Sequence, residues 1–201
     1  MESDFLELVA FNRYLTSICE QPVRIEYRDR SGRGRTYTPD FLALYDHAVP
    51  GARGVLVEVK YRTDLFAAWP TIKPKLKAGR AYARQEGLRF LLMTEVEIRG
   101  PHLENVRIVN HYRKMPVNSG YEEKLTATLV LASQMTIGEL VETAWHGADR
   151  RQASYAYVLR LIGNGRIGAD LSRPLTRETV VWITAGEGFR CDPHSFRSVL
   201  A

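Results

Sequence analysis

The chain has 201 residues, 45% of them hydrophobic and 25% charged, with a formal net charge of +5. That length allows one sizeable core or a larger and a smaller domain, and two are expected. There is no run of 18 uncharged apolar residues, and Glu2, Asp4 and Glu7 open the chain, so neither a membrane span nor a secretory leader is expected and the protein is read as intracellular. Cys19 and Cys191 stand far apart in no Cys-x-x-Cys spacing, which gives no support to a disulfide framework or a zinc ribbon.

Residues 3–17 read as a helix, with Phe5, Leu8, Val9 and Leu15 near one face and Ser3 as its N-cap. Glu2 lies one turn before Phe5 and Leu6, so its carboxylate is expected to point toward the buried side. Gln21-Pro22 breaks this pattern, and Val23–Arg28 alternates as a strand that ends in the turn Ser31-Gly32-Arg33-Gly34. Two more strands follow, one through Asp40 and one over Gly54–Lys60, giving an expected antiparallel meander of three. Pro39 cannot donate to a ladder, which argues for an edge, a strand end or a bulge there.

Residues 71–86 form the next predicted helix, with Pro74 in its first turn. Lys73, Lys77, Arg80 and Arg84 follow at spacings of four, three and four, a basic stripe beside the apolar stripe Ile72, Leu76, Gly79 and Ala83. Such a stripe is either a solvated face or a track for a phosphate backbone. Leu88–Thr94 reads as a strand buried on both faces, parallel to a strand of the meander because a helix precedes it, so the sheet is mixed. Arg99–Tyr112 is too mixed to assign, and His102 and His111 lack partners at metal-ligand spacing.

A boundary is expected between Arg113 and Gly120, dividing the chain into domains over 1–115 and 120–201. The first 113 residues carry 18 Lys and Arg against 14 Asp and Glu, a net of +4, and the remainder is near neutral. Beyond the boundary, helices near 122–133, 137–146 and 150–163, a capping box at Thr136-Ile-Gly-Glu139 and a strand at Val180–Ile183 describe a winged helix-turn-helix. Its near-neutral charge leaves protein binding open beside DNA binding.

Within the strand 54–60, Val55, Val57 and Val59 take one face while Leu56, Glu58 and Lys60 take the other. If the preceding strand turns back through residues 46–53, Asp40 arrives near Glu58, and two hard carboxylates converge on a site suited to Mg²⁺. Glu-x-Lys alone carries little, since Glu122-Glu123-Lys124 supplies a second copy. Its setting after an apolar strand, between an acidic helix and a basic one, is what resembles the PD-(D/E)xK nuclease superfamily, whose core runs αβββαβ.

The segments Glu2-Ser-Asp-Phe-Leu-Glu-Leu, Glu20-Gln-Pro-Val-Arg-Ile-Glu-Tyr, Tyr37-Thr-Pro-Asp-Phe-Leu, Leu56-Val-Glu-Val-Lys and Leu92-Met-Thr-Glu-Val-Glu-Ile resemble the TnsA family, the endonuclease subunits of heteromeric transposons. The resemblance implies that Glu2, Asp40, Glu58 and Lys60 take catalytic positions and that Gln21 matches the Gln before the first core strand. It implies cleavage of double-stranded DNA at the 5′ ends of the element, with a DDE-type transposase and an AAA+ regulator as partners, in a bacterial cytoplasm at the nucleoid. Asp40 and Glu58 are then expected to bind Mg²⁺, for which Mn²⁺ substitutes, with Glu2 on the same or a second ion and the Val59 carbonyl completing the shell. Lys60 is expected to act electrostatically, because neighbouring carboxylates favour its charged form. Lys73, Lys77, Arg80, Arg84 and Arg62 are the candidate DNA contacts, and a 5′-phosphate and a 3′-hydroxyl are the expected products. A stand-alone restriction- or repair-type nuclease and a catalytically degenerate adaptor are the alternatives.

Overall fold

The structure is a computed structural model describing residues 1–12, 14–46 and 53–184. It divides into two compact units, Met1–Arg99 and Gly100–Ala201, the second described as far as Thr184. The division therefore falls before Pro101 rather than in the 113–120 stretch, because residues 101–113 form a helix that packs inside the second unit.

The first unit runs α1 (Glu2–Ala10), β1 (Leu15–Glu20), β2 (Ile25–Arg28), β3 (Gly34–Tyr37), β4 (Phe41–Tyr45), β5 (Gly54–Val59), α2 (Arg62–Ala67), α3 (Trp69–Gln85), β6 (Arg89–Met93) and α4 (Glu95–Ile98). The first helix is shorter than its apolar spacing predicts. It ends at Phe11, and Asn12 turns the chain by accepting the Tyr14 N–H on its side chain and the Leu15 N–H on its carbonyl. Met1, not Ser3, occupies the N-cap, and Glu2 is exposed rather than turned inward. Phe5, Leu8 and Val9 are its buried face, with the Phe5 ring against Phe41 at 5.0 Å.

Four strands make a mixed sheet in the order β1-β4-β5-β6, antiparallel until β6 joins β5 in parallel. Along this sheet the order is helix, three antiparallel strands, helices, parallel strand. The mixed sheet was expected, but the strand read at Val23–Arg28 does not belong to it, and the strand read through Asp40 is two strands, of which only β4 does. β2 and β3 pair only with each other as a separate two-stranded ribbon, and β1, read as helix, takes the edge position beside β4. All six residues of β5 are buried, as befits a central strand, whereas β6 is an edge strand and only Met93 is buried on it. α3 begins at Trp69, so Pro74 sits inside the helix rather than in its first turn. Ile25, Tyr37, Leu56 and Ala83 form a buried cluster that ties the ribbon and α3 to one face of β5. Gly79 makes that approach possible: a Cβ there would lie 2.8 Å from the Tyr37 ring and 2.7 Å from Phe90.

The second unit contains α5 (Pro101–Arg113), α6 (Ser119–Ala132), β7 (Gln134–Thr136), α7 (Ile137–Ala144), α8 (Ala148–Gly163), β8 (Ile167–Ala169) and β9 (Val180–Ile183). Its strands form an antiparallel sheet in the order β7-β9-β8. The capping box at Thr136 and Glu139 is formed as read, with the Thr136 hydroxyl accepting the Glu139 N–H and the Glu139 carboxylate accepting the Thr136 N–H. At its centre the Glu122 carboxylate, 2% exposed, is held at 2.7 Å by both Arg160 and Arg166. His102 lies against Leu171 and Asp170, and burial pushes its imidazole below its ordinary value. Cys19 is a free, exposed thiol, and Cys191 lies outside the described residues. No helix among the described residues is long and apolar enough to cross a membrane.

Candidate active site

The β4–β5 register pairs Phe41 with Val57. This puts Asp40, one residue before β4, at the carboxyl end of β5. There the Val59 N–H donates to Asp40 Oδ2 at 2.7 Å. The Asp40 carbonyl in turn accepts the Gln21 N–H at 2.9 Å, with Gln21 in the left-handed region at φ 48°. Gln21 thus reaches this corner through its backbone, and its residue is exposed.

Glu58 is 1% exposed and is held from three directions. Tyr37 Oη donates to Oε2 at 2.9 Å, Lys75 Nζ donates to Oε1 at 2.7 Å, and Lys60 Nζ stands 3.6 Å from the same Oε1. Lys75 also lies over the Tyr37 ring, 5.1 Å from its centroid. A buried carboxylate is tolerable only with such compensation. Burial, followed by the Glu58 charge and hydrogen bond, drives the Tyr37 phenol far above its ordinary value, so it remains a donor. Asp40 is half-buried, and burial raises its carboxyl above the usual carboxylate range. The Val59 N–H and Lys60 oppose that rise, while the Glu58 and Glu2 charges add to it.

The Glu2 carboxylate forms no hydrogen bond or ion pair with another described residue, and its charge is felt at Asp40 from an exposed position on the first turn of α1. Among the described residues, no three His, Cys, Asp or Glu side chains are gathered into a cage for a metal ion. The pair Asp40 and Glu58 nonetheless fits a hard cation, because Mg²⁺ is ordinarily held by one or two carboxylates and keeps several waters.

The basic stripe of α3 is exposed at Lys73, Lys77, Arg80 and Arg84. Arg62 is differently occupied, since its N–H donates to Glu95 and its guanidinium stands 3.4 Å from Glu97 in the capping box of α4. Two site residues escape a reading of the sequence. Lys75 stands between Lys73 and Lys77 but leaves their stripe to reach Glu58, and Tyr37 belongs to a ribbon that α3 packs against at Gly79. No local pattern marks either one, because both act across the tertiary fold.

A family model described as TnsA-like endonuclease N terminal matches residues 12–95, which assigns that stretch, with Asp40, Glu58, Lys60 and Lys75 inside it and Glu2 outside, to this family. No curated protein matches the chain.

Proposed function

With residues 12–95 as a TnsA-like endonuclease domain, we propose that the chain is a Mg²⁺-dependent DNA endonuclease subunit of a heteromeric transposase, hydrolysing the strand at the 5′ ends of the element during excision. The observation that carries this reading is the convergence of Asp40, Glu58 and Lys60 at the carboxyl end of β5, inside the matched stretch. When bound, a divalent cation held by Asp40 and Glu58, with the Val59 carbonyl and Glu2 as further oxygen donors, would polarise the scissile phosphate and lower the pKa of a water.

The chain's own residues do the rest. Tyr37 and Lys75 hold Glu58 in one orientation, so its oxygens are aimed before any substrate arrives. Lys60, 32% exposed, keeps a cation at the rim, where negative charge builds on the phosphate oxygens as the bond breaks. The exposed α3 stripe suits the phosphate backbone beyond the cut.

For the second unit we propose a winged helix-turn-helix. The order α6, β7, α7, α8, β8, β9, with β7-β9-β8 pairing, supports that reading, α7 and α8 making the helix pair and the β8–β9 hairpin the wing. Its partners are the transposon ends, a DDE-type transposase that cuts the 3′ ends and an AAA+ regulator, at a bacterial nucleoid. Asp40→Ala and Lys60→Ala are expected to abolish 5′-end cleavage in the reconstituted transposase and to leave the far-ultraviolet circular dichroism unchanged. Undiminished 5′ cleavage by either variant would remove this reading.

A further inference from the structure

The β2–β3 ribbon serves a purpose that the sheet does not require of it. It pairs with no other strand, and only Ile25 and Tyr37, at its base, are fully buried. Beyond Tyr27 it extends into solvent as Arg28-Asp29-Arg30-Ser31-Gly32-Arg33-Gly34-Arg35, four cations against one anion. All four arginines are exposed.

This tip is built, not loose. Asp29 Oδ1 accepts the Ser31 N–H at 2.9 Å, the Ser31 hydroxyl at 2.6 Å and the Arg33 N–H at 3.1 Å. Arg28 donates to the Gly32 carbonyl at 3.0 Å, and Gly32 takes φ 80°, open to glycine at little cost. Arg35 pairs with Asp29 Oδ2 at 3.0 Å. The single acid of the tip is therefore spent inside it, and the side chains of Arg30 and Arg33 enter no ion pair among the described residues.

Rigid and cationic, the ribbon is also coupled to the site. β3 ends at Tyr37, the donor to Glu58, and at about 3.3 Å per residue the tip lies roughly 13–17 Å from it, about half a helical turn of duplex DNA. A two-stranded ribbon fits a DNA groove or its flanking phosphates. We propose that the β2–β3 ribbon is a second DNA-binding element, which grips the duplex phosphates beside the cut through Arg30 and Arg33. The inference rests on the nuclease reading given above.

The test measures fluorescence anisotropy of the full chain with a fluorescein-labelled duplex of roughly 30 base pairs in EDTA, across a salt series. Arg30→Ala/Arg33→Ala is expected to bind about tenfold more weakly and to lower the salt slope by about two, one for each phosphate no longer neutralised. Its melting temperature should match wild type, because neither side chain supports the turn. Arg30→Lys/Arg33→Lys keeps the charge and is expected to recover affinity to within about threefold. Unchanged affinity and slope in the alanine variant overturn the ribbon proposal and leave the nuclease reading standing, and would point the tip toward an acidic protein surface. A lysine variant as weak as the alanine variant also overturns phosphate gripping. No affinity of the wild-type chain for duplex also overturns the ribbon proposal, while the nuclease reading still stands or falls on 5′-end cleavage by the reconstituted transposase.

Discussion

Asp40 and Glu58 are two carboxylates treated oppositely by their surroundings. Glu58 is enclosed by a phenol and two ammonium groups, whereas Asp40 has one amide donor and faces like charge. Burial first, then Glu58 and Glu2, raise the Asp40 carboxyl above its ordinary 3.8, so the folded chain holds that proton more tightly than the unfolded one. The linkage then runs against stability as pH rises: the favourable contribution is complete below the unfolded value and is lost as pH climbs through the raised folded value. Asp40→Asn keeps an acceptor for the Val59 N–H without the charge. It is expected to melt above wild type at neutral pH in EDTA, with the gap closing below about pH 3.8. Millimolar Mn²⁺ should close the same gap at neutral pH by stabilising wild type alone, which a thermal melt at three conditions reads directly. A variant no more stable than wild type in EDTA would mean that the Val59 hydrogen bond offsets the buried charge.

At the scale of elements, α3 does two jobs with neighbouring stripes. Ile72, Leu76, Gly79 and Ala83 are its buried face, and the basic stripe beside it is exposed. Lys75 falls at the seam between them, half-way into the protein, and so can meet Glu58. Gly79 sets how close the helix comes. In an exposed helix Gly→Ala gains about 0.5–1 kcal/mol from propensity. Here the added methyl meets the rings of Tyr37 and Phe90 inside 3.0 Å, and overpacking of this kind costs about 1–3 kcal/mol. Gly79→Ala is therefore expected to be net destabilising by urea denaturation, and to weaken nuclease activity beyond that loss because Tyr37 is the donor to Glu58. β1 is instructive in the opposite direction. As an edge strand with Leu15 and Ile18 its least exposed residues, three apart, it shows a helical spacing and no strand alternation. α5 carried a legible signal in Leu103, Val106 and Val109, but the polar Asn105 and His102 among them hid it. Asn105 is buried because it binds the Leu171 and Arg173 carbonyls and the Leu175 N–H, partners far away in the chain.

At the scale of the molecule, the site residues from Glu2 to Lys75 all lie in the unit Met1–Arg99, which has its own sheet and core. Residues 1–99 expressed alone are accordingly expected to fold cooperatively and to bind Mn²⁺ as the full chain does, and Asp40→Ala should remove that binding. Circular dichroism and calorimetry test both, and an unfolded fragment would show that the first unit draws stability from the second. The sequence by itself determined the mixed sheet, the central strand that carries Glu58, the amphipathic α3, the Thr136 cap and the arrival of Asp40 beside the end of that strand. Each of these rests on local periodicity, on a side chain bonding its own backbone, or on a turn joining adjacent strands. Only the tertiary structure decided that β2 and β3 leave the sheet, that Lys75 and Tyr37 enclose Glu58, and that Glu2 stays at the surface while still acting on Asp40. Those outcomes depend on which helix face meets which strand, a choice set by close packing at positions such as Gly79 and by the need to compensate a buried carboxylate, neither of which leaves a repeat in the sequence.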